Sequence, residues 1–172
     1  LDPAGEYSPV VEANGGECIR FAPDADTHLN PFDLSDVAHQ SRSAQMAFKI
    51  DAFLALSSAT MAEGDQGLPE ADKSIISRCV ERAYRDADEE GRTPLLGDFH
   101  RILKAQPEPE ARDIALRYER YVEGALSFFN RPSNVTFDRR ITNVDFRDLS
   151  ENMRAFGIIT VLECVRNRMY RN

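Results

Sequence analysis

The stretch that decides the fold reads Asp2-Pro3-Ala4-Gly5-Glu6-Tyr7, then Asn14-Gly15-Gly16, a short apolar run from Cys18 to Phe21, and His28-Leu29-Asn30-Pro31-Phe32-Asp33. Asn14-Gly15-Gly16 is a turn signal, and Pro23-Asp24 closes the apolar run, so the spacing predicts one strand over Glu17 to Ala22 in a loop-rich opening segment. Pro31 fixes its own φ and drives Asn30 towards extended geometry, which makes 28–33 a stiff connector. Beyond Asp33 the pattern turns helical, and the chain reads as a strand-and-turn segment feeding a long helical block.

Four helices are expected in that block. From Ser35 to about Ala62, Met46, Ile50, Phe53, Leu54 and Met61 recur at helical spacing, with Ser35 or Asp36 as cap and Glu63-Gly64 as stop. A second helix starts at Pro69, with Glu70 and Asp72 at the positive end of its dipole and an apolar stripe through Ile75, Ile76, Cys79, Val80, Ala83 and Tyr84. A third starts at Thr93-Pro94 and carries Leu95, Leu96, Phe99, Ile102 and Leu103. The fourth is expected from Glu110 to Phe129, carrying Ile114, Tyr118, Tyr121, Val122, Ala125 and Phe129, with Asn130 and Pro132 as stops. Beyond it, Val135, Phe137 and Ile141 alternate like a half-buried strand, with a turn near Thr142-Asn143. A last helix, from Leu149 to Met169, buries Met153, Phe156, Ile158 or Ile159, Leu162 and Val165. The expected organisation is a strand segment at 1–33, a helical subdomain at 34–130, and a strand and helix returning to the core at 131–172.

Composition bounds the function. The 172 residues suffice for one domain with a core, and no apolar run is long enough to span a bilayer. Residues 1–20 lack the basic start and apolar stretch of a signal peptide. Three scattered cysteines do not make a disulfide framework, which points to a reducing, cytoplasmic setting. The net charge of −8 is uneven: residues 1–130 carry 13 Lys/Arg against 24 Asp/Glu, and residues 131–172 carry 8 against 5. An acidic bulk argues against direct nucleic-acid binding, whose affinity comes from neutralising phosphates. The basic tail suits a phosphate, an acidic neighbour or a solvated face.

Candidate chemistry is sparse. His28, His39 and His100 share no metal-ligand spacing, and only His28 sits in a stiff loop. Cys79 and Cys164 fall on apolar helical faces and Cys18 in the strand, so none reads as a nucleophile. Asp86, Asp88, Glu89 and Glu90 read as a solvated helix end, and Asn134-Val135-Thr136 as a chance glycosylation tripeptide. Asp2 and Glu6 have two readings: neighbours of a magnesium-bound phosphate, or a turn cap and a surface ion pair. Arg139 and Arg140 likewise suit a trans-acting arginine in phosphoryl transfer, or ion pairs to the acidic block, and adjacent strand positions let only one reach a given ligand.

In order, these segments resemble the large ATPases of type IV secretion and bacterial conjugation, the VirB/TraC/TraE-like group. The resemblance is carried by Asp2-Pro3-x-x-Glu6-Tyr7, Gly15-Gly16, His28-Leu29-Asn30-Pro31-Phe32-Asp33, Lys49, Leu68, Glu70, Ser74-Ile75-Ile76 and Tyr84. It continues in Pro94-Leu95 with Asp98-Phe99, Tyr121, Gly124, Asn134-Val135, Phe146 with Leu149, and Val165-Arg166-Asn167-Arg168. It implies a mainly α fold with short β segments: a helical insertion subdomain plus the adjoining strands of a RecA-like α/β domain, a P-loop NTPase.

It further implies that ATP and Mg2+ serve the parent protein. The partners would be other subunits of the same oligomeric ATPase and the secretion channel, at the cytoplasmic face of the membrane, in DNA transfer. No G-x-x-x-x-G-K-[ST] occurs in the sequence and no apolar run ends in Asp-Glu, a departure from the family pattern. The resemblance would place the phosphate loop just before Leu1 and the Walker B acid just after Asn172. Under it no catalytic residue, metal or cofactor is expected in this piece, and Asp2, Glu6, Tyr7, His28, Asn30, Arg139 and Arg140 are the nucleotide-proximal candidates. The rival readings are a stand-alone helical interaction module without enzymatic activity, and a divergent phosphohydrolase using Asp2 and Glu6 as metal ligands.

Overall fold

A computed structural model describes residues 1–2, 5–33, 41–61, 67–124 and 126–169. Its elements in chain order are α1 (Ser8–Ala13), β1 (Glu17–Arg20), α2 (Arg42–Met61), α3 (Glu70–Glu89), α4 (Leu96–Lys104), α5 (Pro109–Val122), a 3-10 turn (Ser127–Phe129), β2 (Thr142–Asp145) and α6 (Glu151–Met169). The fold is mostly helical, with one short parallel sheet. The expected caps Ser35 and Asp36, the stop Glu63-Gly64, and Ala62, Ala125 and His39 lie outside the described residues.

β1 and β2 pair in parallel, Glu17 opposite Thr142 through Arg20 opposite Asp145. Parallel neighbours need a long crossover, and the whole helical block supplies it here. Asp2 bridges Asp145 in parallel on the other side: its N–H donates to the Val144 carbonyl (2.8 Å), and the Phe146 N–H donates to its carbonyl (3.4 Å). The Asp145 carbonyl instead accepts from the Phe21 N–H (2.9 Å). Backbone groups alternate sides along a strand, so β2 lies between β1 and the Asp2 backbone.

The sheet has two different faces. Ile19, Phe21, Val144 and Phe146 point into the core and are buried. On the other face, Cys18 Sγ donates to the Ser8 carbonyl (3.7 Å) and Asn143 Nδ2 donates to Ser8 Oγ (3.3 Å), which seats α1. α1 is absent from the sequence expectation, because Pro9, Val10 and Val11 offer no helical period over so short a run, whereas the turn at Asn14-Gly15 that leads into β1 stands where the sequence puts it.

Aromatic rings weld the helical block to the sheet. Phe32, Phe53, Phe99 and Tyr118 form one group, with Phe53 and Phe99 centroids 4.8 Å apart. Tyr118 meets Tyr121 at 6.1 Å, and Tyr121 stacks on Phe156 at 4.2 Å. Phe156 meets Phe129 at 4.7 Å, and Phe21 stacks on Phe146 at 5.3 Å against the same cluster. Each such pair adds about 0.5–1.5 kcal/mol beyond its buried area. Gly157 on α6 is needed for this approach, since a Cβ there would lie 2.7 Å from Phe146 Cε1.

Four expectations are corrected. No strand forms over 132–138; Val135 and Phe137 pack half-buried against the core, and Asn134 is tied to the 26–28 loop rather than to a ladder. The turn expected at Thr142-Asn143 is instead the start of β2, whose partners lie far off in sequence. α5 ends at Val122, and Phe128 and Phe129 turn into the core from the 3-10 segment. On α6, Phe156 and Val161 are buried while Leu162 and Val165 are exposed.

Phe99 is fully buried against Phe32, Phe53 and Tyr118. Phe99→Ala is expected to cost about 3–5 kcal/mol in urea unfolding. Leu116→Ala, at a position 61% exposed, should change stability by less than about 0.5 kcal/mol.

Candidate functional site at the carboxyl ends of the strands

Ligands of open parallel sheets bind outside the carboxyl ends of the strands. In this chain that edge is formed by Asp2, the Gly5–Tyr7 segment, Arg20 at the end of β1, and Asp145 to Asp148 at the end of β2. Asp2 is fully buried, although a carboxylate in that position is costly unless it is hydrogen-bonded. Its Oδ1 accepts from the Glu6 N–H (3.1 Å), and its Oδ2 from the Tyr7 N–H (2.9 Å) and from Asn143 Nδ2 (3.0 Å). Burial on its own would raise the Asp2 pKa; the hydrogen bonds from Tyr7, Asn143 and Glu6 outweigh it and hold the carboxyl below its ordinary value of 3.8.

That arrangement makes Asp2 the organiser of the turn, with both oxygens engaged internally. Glu6 and Tyr7 project outward from it, and Tyr7 is 60% exposed. Across β2 from Asp2, Arg20 at the end of β1 donates to Asp148 (2.7 Å) and Asp24 (3.2 Å), a surface pairing.

The other candidates separate into two places. His28 and Asn30 belong to a loop stitched across the helical block. The His28 N–H donates to Asn134 Oδ1 (2.7 Å), and the Asn134 N–H returns to the His28 carbonyl (3.2 Å). The His28 ring lies beside Arg131 (3.1 Å) and Asp26 (3.5 Å). Asn30 is buried: its Nδ2 donates to the Pro94 carbonyl (2.9 Å), its Oδ1 accepts from the Phe32 N–H (3.1 Å), and its own N–H reaches Ser133 Oγ (2.9 Å). Arg139 and Arg140 are exposed just ahead of β2, at the amino edge of the sheet. At ~3.3 Å per residue β2 sets them on the order of 10 Å or more from the carboxyl edge.

The structure thus brings Asp2, Glu6 and Tyr7 together, joins His28 to Asn30, and puts Arg139 and Arg140 on the opposite edge. Sequence reasoning missed Asn143, Asp145 and Arg147. Nothing local marks Asn143, because its partner Asp2 lies at the far end of the chain.

Other reactive side chains are withdrawn. Burial pushes the Cys79 thiol up to about 11 and the Cys164 thiol up to about 12, so both stay protonated at neutral pH. His100 is buried, and burial lowers its pKa, with Lys104 adding to the shift. Among the described residues no group of three or more His, Cys, Asp or Glu is placed to hold a metal ion. Among them, too, no helix is long and apolar enough to cross a membrane.

No protein-family description matches the chain, and neither does any curated protein. A solved structure of VirB4 from Thermoanaerobacter pseudethanolicus does match in three dimensions, with a TM-score of 0.81 and 21% identity over 99% of this chain and 68% of that chain. At that identity the likeness establishes the fold: this chain is built like the corresponding part of VirB4, helical block and parallel strands together.

The Asp2 network makes a pH prediction. A folded-state pKa below 3.8 means that Asp2 contributes stability above the unfolded value, lost as pH falls through the folded one. Asp98, lowered chiefly by its hydrogen bond from Arg92, adds to the same acid limb. The urea midpoint should therefore fall between about pH 5 and pH 2, and Asp2→Asn should flatten that fall while leaving the Asp98 part. An unchanged acid limb in the variant would contradict the assignment.

Proposed function

We propose that this chain is a fragment of a type IV secretion or conjugative-transfer ATPase, in which ATP hydrolysis is coupled to channel assembly or substrate transfer. The observation that carries the reading is the fold shared with VirB4 across 99% of the chain, joined to the ordered series of sequence motifs. The helical block, 34–130, would be an insertion between two pieces of a RecA-like core, 1–33 and 131–172. Its own role would be to relay nucleotide state or to form subunit contacts, while ATP and Mg2+ bind the parent protein. The working partners would be neighbouring subunits and channel components, at the cytoplasmic face of the membrane.

The candidate residues divide by role in this reading. Glu6 and Tyr7, aimed outward by Asp2, stand where a RecA-like sheet meets its nucleotide. Asn30 joins the core segment to the start of α4 through the Pro94 carbonyl, and His28 joins it to the 131–134 segment, so a displacement at one is passed to the other. Arg139 and Arg140 sit on the edge remote from Asp2, which suits action on a neighbouring subunit's phosphates rather than on the same subunit's. Exposed Leu162 and Val165 on α6 favour this reading over a stand-alone interaction module, because they are apolar surface of the kind a further part of the core would cover.

MgATP turnover by the parent protein tests the proposal. Arg139→Ala or Arg140→Ala, one of the two and not both, is expected to lower kcat by about 10³-fold or more while nucleotide affinity changes little. The chain alone should not bind MgATP tightly by calorimetry; submicromolar binding by these 172 residues would overturn the proposal.

A further inference from the structure

Arg147 lies two residues past β2, and none of the roles assigned so far uses it. Its Nε and Nη2 donate to Asp145 Oδ2 (2.8 and 2.7 Å), and its N–H donates to Asp145 Oδ1 (2.9 Å). Asp145 is buried, its side chain 3% exposed, so this carboxylate fixes the guanidinium firmly. The Arg147 side chain is 48% exposed, and its guanidinium lies against Gly5. A Cβ built on Gly5 would lie 2.6 Å from both Cζ and Nε of Arg147 and 2.8 Å from Nη1. Gly5 also has a φ of +72°, where side chains are strained. Gly5 is therefore favoured for its backbone angle, and the Arg147 guanidinium lies where a Cβ would stand, so a side chain there would have to displace it from Asp145.

We propose that Arg147 is a positioning residue of the carboxyl-edge site: clamped by Asp145, its guanidinium is the surface on which Gly5 rests, and it thereby fixes the Glu6 and Tyr7 N–H groups that hold Asp2. The segment is tied to β2 at two points. The Asp2 backbone is bound by Val144 and Phe146, and Gly5 is seated by Arg147. A single residue at the end of β2 then sets the direction in which Glu6 and Tyr7 leave the sheet. A lysine cannot replace it, since an ammonium keeps the charge but has no flat face to offer. That this edge meets nucleotide rests on the ATPase reading; the positional role of Arg147 does not.

Amide hydrogen exchange on this chain separates the two. In Arg147→Ala, exchange at Glu6 and Tyr7 should accelerate about tenfold or more, with the amides of Ile76 and Val80 in α3 unchanged, and Arg147→Lys should behave like Arg147→Ala. Equal acceleration at α3, or no change at Glu6 and Tyr7, would overturn the proposal. A double-mutant cycle serves if Arg147→Ala folds poorly: Gly5→Ala should shift the unfolding equilibrium about tenfold more in the parent chain than in the Arg147→Ala background. Equal shifts in both backgrounds would also overturn it. Neither experiment contains nucleotide, so failure of the ATPase reading would leave both results standing.

Discussion

A buried carboxylate joined to a parallel strand is the constraint on which this structure turns. Asp2 has no exposed surface, and the ionised group is tolerated because Glu6, Tyr7 and Asn143 all donate to it. Its backbone meanwhile occupies the free side of β2. One residue thus performs two tasks: it extends the sheet and it bends the chain into α1. Removing the charge would loosen the turn; removing the backbone pairing would leave β2 with one neighbour.

From that sheet the mechanical path to the helical block is aromatic. Phe21 and Phe146 on the sheet, Phe129 and Phe156 behind them, and Tyr121, Tyr118, Phe99 and Phe53 in the block are in successive contact. The rings are close-packed, and such interiors transmit displacement rather than absorb it. A second, polar path runs through Asn30, which touches Ser133, Pro94 and Phe32 at once. Tyr84 adds to it by donating to the Phe32 carbonyl (2.9 Å). Helices and strands are therefore coupled by both dispersion and directional bonds, as the proposed relay would require.

How much of this is legible in the sequence depends on how local the physics is. The stripe on α3, from Ile75 through Tyr84, is read directly from a 3.6-residue period and is buried as expected. β1 is legible because turn residues flank it. β2 is not, because Val144 is its sole apolar residue and the side-chain partners of Asn143, Asp2 and Ser8, lie more than a hundred residues away. The same distance hides Asn143 and Arg147 from the candidate site, while Asp2 and Glu6 are marked by their place beside Pro3. On α6 apolar residues occur all round, so no period can say which of them face water.

The separation of the candidate residues is informative about direction. Glu6 and Tyr7 stand at the carboxyl edge, Arg139 and Arg140 at the amino edge, and a single strand spans the interval. Such polarity suits a subunit that holds nucleotide on one side and touches its neighbour on the other. The most direct test is differential hydrogen exchange of the parent protein with and without MgATP. The account predicts protection in peptides covering residues 5–7 and 28–30. Protection confined to the outer faces of α3 to α5, with none at the carboxyl edge, would contradict it.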